Sequence, residues 1–131
     1  MSQITSFLGE HFFLSNFYHY KPFVHDSCLW RTSEHTFQAI KCSDYTNWLD
    51  ACEEGYDSHE AMEANSIWKA ATPQEARDLG QQCKMHDDWE QIKERVMFDI
   101  LWSKFFPGSE LSKRLAATGG AELIESNDFG D

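Results

Sequence analysis

The feature that most constrains the fold is one long segment, residues 87–106, in which apolar side chains recur around most of a helix. Asp87 followed by Glu90 is a helix start signal, and Pro107-Gly108 stops the segment. The apolar residues are Trp89, Ile92, Val96, Met97, Ile100, Leu101, Trp102 and Phe105. Because this apolar face is wide enough for burial on most sides, the pattern predicts that the helix forms the spine of the core.

Local start and stop signals predict further helices. Thr72-Pro73-Gln74-Glu75 combines an N-cap, a proline at the first helical position and a capping-box glutamate, and Gly80 is expected to end that helix. A last helix is predicted over 109–118, with its first serine as the N-cap. Two earlier segments, 45–53 and 59–70, are also predicted to be helical.

The first thirty residues are rich in aromatic side chains and fit short extended pieces. We expect extended backbone at Phe12–Leu14 and at Phe23–Trp30, with a turn at Asp26-Ser27 in the second piece. A helix is predicted to begin after Ser33, acting as its N-cap, and to run to about Cys42.

A short strand predicted over 121–125 completes the set of elements. The result is a predominantly helical α+β fold, with a small β-sheet contributed from both ends of the chain. The length of 131 residues fits a single domain, 1–131, and 41% hydrophobic residues suffice for a real core.

Charge limits the partners of this chain. Twenty-two acidic and eleven basic residues give a net charge of −11, which argues against tight non-specific binding to DNA or anionic membranes. Residues 44–63 hold seven acids and no base. This stretch is interpreted either as a solvated helical face or surface excursion, or as a patch that mimics DNA or repels a partner.

No membrane, metal or cofactor is expected. The apolar stretches are shorter than the roughly 18 residues of a membrane span, and the first residues do not resemble a secretion signal. The cysteines, at 28, 42, 52 and 83, show no CxxC spacing, so we expect free thiols in a cytoplasmic protein. Phosphate-loop, dinucleotide-binding and HExxH patterns are not found.

Glu34 is the strongest candidate for a catalytic group. With Gln38 and Lys41 it lines one face of the predicted helix at spacings i, i+4 and i+7. In the first turn the helix dipole favours a negative charge, which suits a base, a nucleophile or a stabiliser of a cation. The alternative is a first-turn glutamate that only complements the dipole.

A second acidic group follows near the end of the chain, at Glu125 and in Asn127-Asp128-Phe129. Two carboxylates in one pocket are what the cleavage of a glycosidic bond uses. Spacing alone does not decide whether Glu34 and Asp128 converge.

Two tryptophans, Trp30 and Trp89, are candidates for stacking on a ligand, although core packing is the default role of any tryptophan. His35 lies about 100° around the helix from Glu34, so we expect it to be a structural hydrogen-bonding residue and not an acid–base catalyst.

Several motifs occur in a fixed order along the chain. They include Leu14-Ser15-Asn16-Phe17, Ser33-Glu34-His35 with Phe37-Gln38-Ala39 and Lys41, Ala71-Thr72-Pro73, Asp88-Trp89, Lys104-Phe105 and Leu123-Ile124-Glu125. This series resembles the NADAR superfamily over residues 8–130, and the first two motifs together are highly specific.

The resemblance implies a small, mostly helical α+β fold and an N-glycosidase that cleaves base–ribose bonds. Its substrates would be ADP-ribose-like or phosphoribosyl compounds, such as riboflavin-pathway intermediates or ADP-ribosylated guanine, and ADP-ribosylated nucleic acid stays open. Carried over by position, Glu34 and Asp128 take the catalytic roles. The implied substrate-binding residues are Asn16, Trp30, Gln38, Lys41, Trp89, Glu125 and Phe129.

Two other functions remain open. Family members usually continue past the late aspartate with a glycine-rich segment, whereas this chain stops at 131. This departure motivates a sensor that binds ADP-ribose or NAD-like ligands without efficient turnover. The acidic stretch motivates an interaction protein for a basic partner. The sequence does not indicate an oligomeric state.

Overall fold

Helices dominate the part of the chain that the computed structural model describes, namely residues 3–4, 6–55, 61–119 and the backbone of 122–123. Its α-helices are α1 (Ser33–Lys41), α2 (Tyr45–Glu54), α3 (Glu63–Trp68), α4 (Pro73–Gln82), α5 (Trp89–Lys104) and α6 (Glu110–Ala116). Its strands are β1 (Gln3–Ile4), β2 (Phe23–His25), β3 (Cys28–Trp30) and β4 (Glu122–Leu123).

The strands form two small sheets. β1 pairs with β4 in parallel, so a sheet does join the two ends of the chain. β2 and β3 form an antiparallel hairpin with Phe23 opposite Trp30. Asp26 and Ser27, the turn residues, have φ angles of 53° and 63°, as a two-residue hairpin turn with matching twist requires. The predicted turn and the α+β fold class are both confirmed.

Two N-caps predicted from sequence, Thr72 and Ser109, are formed. Thr72 Oγ1 accepts a hydrogen bond from the Glu75 amide at 3.1 Å, and a Glu75 carboxylate oxygen accepts from the Ala71 amide at 3.1 Å. Ser109 Oγ accepts from the Ser112 amide at 3.1 Å. Side-chain oxygens thus satisfy amides that the first turn of each helix leaves unpaired.

Three local predictions were wrong. Phe12–Leu14 is not extended but belongs to a 3₁₀ helix, Gly9–Leu14, that buries Phe13 and Leu14. The N-cap of α1 is Thr32, one residue earlier than predicted. Helix α4 continues past Gly80 to Gln82, so this glycine does not end the helix. Of the segment predicted to be helical at 59–70, residues 59–60 lie outside the described part, and helix α3 covers 63–68.

The core centres on α1 and not on α5, which overturns the prediction from the apolar segment. The main cluster of buried residues gathers side chains from α1, α2, α3 and α4 and from the hairpin. Helix α5 contributes only two buried apolar residues, Trp89 and Ile100, whereas Phe98 and Trp102 are exposed. One side of α5 packs on α1 and β2, and this contact covers only part of the apolar surface.

A second, smaller cluster lies beside the first and joins the 3₁₀ helix to α6. It comprises Phe13, Leu14, Tyr18 and Leu111. It fixes the aromatic N-terminal region against the C-terminal helices. The chain then passes through the β2–β3 hairpin before it reaches α1, and the loop after the 3₁₀ helix contacts the start of α1 where the Asn16 carbonyl accepts the Glu34 amide.

The described part of the acidic stretch is surface. Asp50, Glu53 and Glu54 are exposed, while Asp44 accepts hydrogen bonds from the amides of Glu63 and Ala64 at 2.8 and 3.2 Å. The four cysteines are free thiols. Among the described residues, no helix has both the length and the apolar character needed to cross a membrane.

Candidate functional site

The N-terminus of α1 is stabilised by hydrogen bonds that Thr32 makes with His35 and Thr36. Thr32 Oγ1 accepts from the His35 amide at 3.1 Å and lies 2.7 Å from His35 Nδ1. Thr36 Oγ1 donates to the Thr32 carbonyl at 3.0 Å. Because these bonds fix the first turn, the side chain of the residue between them, Glu34, leaves the helix in a defined direction.

Glu34 is a buried carboxylate. Its side chain and backbone are together only 3% exposed, and Gln38 Nε2 donates to Glu34 Oε2 at 2.7 Å. The Glu34 amide donates to the Asn16 carbonyl at 3.0 Å. Burial disfavours the charged form of a carboxyl group, whereas the first turn of a helix and the Gln38 donor favour it.

Gln38 is pressed against α4. A Cβ atom built on Gly80 would lie 2.0 Å from Gln38 Oε1 and 2.9 Å from Gln38 Cβ, so only glycine fits at that position. Gln38 Oε1 is buried and accepts no hydrogen bond from the residues that the structure describes. The role of Gly80 was missed in the sequence, where it was taken for a helix end. It lets α4 approach α1 closely enough to hold the amide of Gln38 against Glu34.

Asn16 adjoins the same turn. Ser33 Oγ donates to Asn16 Oδ1 at 2.8 Å, and the Asn16 carbonyl receives the Glu34 amide. The structure thus brings Asn16, Glu34 and Gln38 together at the start of α1, while their predicted site roles stay a prediction. The contacts make Asn16 a partner of the α1 backbone.

Lys41 lies at the opposite end of α1, seven residues and so roughly 10 Å from Glu34 along the axis. It is half-buried, and its carbonyl accepts from the His86 amide at 3.2 Å. The two predicted site residues share the helix but do not touch.

The two candidate tryptophans are core residues in this conformation. Trp30 is 0% exposed, donates from Nε1 to the His25 carbonyl at 3.0 Å and packs against Trp48 with ring centroids 5.7 Å apart. It has no face on which a ligand can stack, which corrects the prediction for this residue. Trp89 is also buried, with its ring centroid 5.0 Å from that of Phe37.

The predicted residues Glu125, Asp128 and Phe129 lie outside the described part of the chain, so convergence of Glu34 with Asp128 stays a prediction. Within that described part, His, Cys, Asp and Glu side chains form no group of three that could hold a metal ion.

His35 is a structural residue, as expected from its position on the helix. It is buried, and Nε2 lies 3.0 Å from the Ala70 carbonyl while Nδ1 meets Thr32. Burial lowers the pKa of the imidazole below its ordinary value of 6.5. Its two ring nitrogens are both used within the fold, which leaves no free position for proton transfer.

A cavity of about 630 Å³ lies on the His35 side of α1. Its lining comes from the N-terminal region, from the start of α1 and from the segment that leads into α4, namely Phe12, Phe17, His19, Pro22, Arg31, Thr32, His35 and 71–74. Its volume is in the range of small-molecule sites. Glu34 does not line it, because successive helical residues point about 100° apart.

Arg77 was also missed in the sequence. It is buried on α4, one turn before Gly80, on the side of the helix that faces the protein interior. A helical projection of α4 could have indicated this burial, because it places Arg77 beside Ala76, another buried residue.

The comparisons with known proteins agree with the helical α+β fold. A model of the NADAR domain matches residues 6–130, and this chain belongs to that family. The NMR structure of the Escherichia coli protein YbiA superposes with a TM-score of 0.70 at 30% identity, covering 95% of this chain and 68% of that one.

Curated relatives carry related names. The N-glycosidase YbiA of Escherichia coli strain K12 is 33% identical over 109 residues, which are 82% of this chain and 58% of the relative. A riboflavin biosynthesis protein of Vibrio vulnificus is 34% identical over 116 residues, 88% of this chain and 28% of that protein. The chain thus spans under two thirds of the relatives' length.

Proposed function

We propose that this chain is an N-glycosidase that hydrolyses the bond between a base nitrogen and the anomeric carbon of a ribose. The observation that carries the proposal is the Glu34 carboxylate, buried in the first turn of α1 and held by Gln38 at 2.7 Å. The name N-glycosidase of a relative that is 33% identical supports the same reaction class.

In the proposed reaction the C–N bond breaks and its electron pair leaves with the base. Positive charge then develops on the anomeric carbon and ring oxygen, and the negative charge of Glu34 stabilises it. A water molecule bonds to the anomeric carbon and transfers a proton to Glu34, which passes it to the departing base. The products are the free base and the ribose with a hydroxyl group at the anomeric carbon.

The substrate that we propose carries phosphate as well as ribose, in the form of a phosphoribosyl or ADP-ribosyl group. Lys41, a cation on the same helix, is proposed to contact a phosphate. Asp128 is proposed as the second carboxylate, and Glu125, Phe129 and Trp89 as neighbours of the base. Riboflavin-pathway intermediates are the first substrates to test, because one relative is named for riboflavin biosynthesis.

Gln38 and Asn16 are proposed to act on Glu34 more than on the substrate. Gln38 uses its donor on the carboxylate and its acceptor end is buried against Gly80. The free thiols of all four cysteines are consistent with the cytoplasmic location that we propose.

The test is chromatography of reaction mixtures that contain either an ADP-ribosylated guanosine or a phosphoribosylamine of the riboflavin pathway. We expect release of the free base by the wild-type protein. Glu34→Gln keeps the shape of the side chain but removes its charge, so kcat should fall by about 10²- to 10⁴-fold. Glu110→Gln is the matched control, since Glu110 is also a first-turn glutamate but is exposed and paired with Lys21.

A Glu34→Gln variant that releases base at the wild-type rate would exclude the proposed role of the carboxylate. If the wild-type protein turns over neither substrate but binds ADP-ribose saturably in calorimetry, the sensor function replaces the enzyme. If the wild-type protein neither turns over these substrates nor binds ADP-ribose, the acidic surface is tested next. Asp50, Glu53 and Glu54 are then neutralised, and salt-sensitive capture of a basic protein is measured.

A further inference from the structure

Lys104 is an unusual buried cation. It lies on α5, is only 4% exposed, and donates from Nζ to the Ser15 carbonyl at 2.8 Å. Its ammonium group also lies 5.1 Å from the ring centroid of Phe105 and 5.9 Å from that of Tyr18. Burying an ammonium costs free energy unless it is well bonded, so a lysine at such a position has a specific task in the fold.

The carbonyl that Lys104 holds belongs to the turn that leads to Asn16. The Ser15 carbonyl also accepts the Tyr18 amide at 3.1 Å, and Ser15 Oγ accepts the Phe17 amide at 3.0 Å. These two hydrogen bonds stabilise the turn internally. The Lys104 hydrogen bond connects the turn to α5, at a residue 89 positions away in sequence.

From this turn, two hydrogen bonds reach the first residues of α1. The Asn16 carbonyl accepts the Glu34 amide at 3.0 Å, and Asn16 Oδ1 accepts from Ser33 Oγ at 2.8 Å. A continuous path thus runs from Lys104 through Ser15 and Asn16 to the backbone of Glu34. A change in the position of the turn therefore moves the hydrogen-bond partners of the Glu34 amide and of the Ser33 hydroxyl.

We propose that Lys104 is a positioning residue for Glu34, which it holds in place through the Ser15-Asn16 turn. The inference deepens the proposed function, because it names a residue on a distant helix that sets the geometry of the carboxylate. A shift of about 1 Å in a reacting group costs roughly 10²-fold in rate, so such a hold affects kcat strongly. In this proposal Lys104 acts through the turn and does not contact the substrate, so KM should change little.

The first variant is Lys104→Met, which keeps the length of the side chain and removes the donor and the charge. In hydrogen-exchange NMR, the Glu34 amide of the variant should exchange at least about tenfold faster than in the wild-type protein. In the base-release assay, kcat should fall by about 10-fold or more with KM within about twofold. Lys113→Met is the control, because Lys113 is exposed on α6.

Ser33→Ala tests the same path from the other end and does not depend on the folding of the lysine variant. It removes the Ser33–Asn16 hydrogen bond while it leaves Lys104 in place, and we expect the same direction of change in amide exchange and in kcat. The proposal is overturned if a folded Lys104→Met variant, or Ser33→Ala if the first does not fold, leaves both the Glu34 amide exchange and kcat unchanged.

The two readouts separate the two proposals. Amide exchange at Glu34 requires no substrate, so it decides the positioning role even if the wild-type protein releases no base. Failure of turnover in the wild-type protein, with faster exchange in the variant, rejects the proposed reaction and retains the positioning path.

Discussion

Helices α1 and α5 reverse the usual relation between polarity and burial. Helix α1 is short and largely polar, yet seven of its nine residues are buried, among them Glu34, His35 and Gln38. Helix α5 is long and has eight apolar residues among sixteen, yet only three of the sixteen are buried, and Phe98 and Trp102 are 62% and 59% exposed. Burial follows from what surrounds a helix, since α1 is packed between α3, α4 and α5 whereas α5 is packed on one side.

The comparison also shows where function is expected. Polar groups enter a core only if hydrogen bonds compensate for the lost water, and α1 meets that condition at Thr32, His35 and Gln38. A fold that needed only a stable central helix would use apolar residues there. The buried polar residues of α1 are therefore consistent with the site that we propose there, and the apolar residues of α5 did not identify the centre of the core.

The largest effect that we expect comes from the buried side of α5. Ile100 is fully buried, so Ile100→Ala should lower the free energy of unfolding by about 2–5 kcal/mol, because it leaves a cavity. Phe98→Ala, two residues away on the exposed side, should cost under about 1 kcal/mol. Urea unfolding followed by far-UV circular dichroism compares the two, and equal costs would contradict the exposed position of Phe98.

The contact of α1 with α4 provides the second test. Gly80→Ala would place a Cβ atom 2.0 Å from Gln38 Oε1, so α4 must move or Gln38 must leave Glu34. We expect a loss of about 1–3 kcal/mol in stability despite the better helix propensity of alanine, and a lower rate of base release. Asp78→Ala, an exposed position on the same helix, is the control.

If Gly80→Ala were as stable and as active as the wild-type protein, the close packing of Gln38 would have no functional role. This outcome would also contradict the inference that α4 holds Gln38 against Glu34.

These two helices show what sequence reasoning captured and what it missed. Caps and turns are local, so Thr72, Ser109 and the Asp26-Ser27 turn were predicted correctly from neighbouring residues. The grouping of Glu34 with Gln38 was also predicted, because a spacing of four residues places them on one helical face.

What was missed depends on contacts between distant residues. Gly80 was read as a helix end because its real role, the close approach to Gln38, involves a residue 42 positions away. Trp30 was read as a candidate for stacking, but its surroundings of Trp48 and Tyr45 come from α2. The extended backbone predicted for Phe12–Leu14 failed because packing of its aromatic side chains favoured a 3₁₀ helix.

A smaller effect is expected from pH, and it acts on α1. Burial lowers the pKa of His35 below 6.5, so the unfolded chain binds a proton more readily than the folded one. The stability contribution of neutral His35 is therefore complete above about pH 6.5 and is lost as the pH falls below this value. Between pH 7.5 and pH 5.5 we expect about 1 kcal/mol of additional loss in the wild-type protein relative to His35→Gln.

Urea unfolding at the two pH values measures this difference, and the glutamine variant removes the titration while it retains hydrogen-bonding groups. An equal pH dependence in both proteins would mean that His35 is protonated in the fold as readily as in the unfolded chain.

The smallest effect should come from the exposed side of α5. Trp102 is mostly exposed, so Trp102→Gln should change the free energy of unfolding by less than about 0.5 kcal/mol. The same substitution should reduce the binding of a hydrophobic dye, because it removes a large apolar group from the surface. Fluorescence titration with the dye and urea unfolding measure the two quantities in one preparation. A loss of stability comparable to that of Ile100→Ala would show that Trp102 packs against another part of the chain. Helix α5 would then be more buried than described, and its contrast with α1 would be smaller.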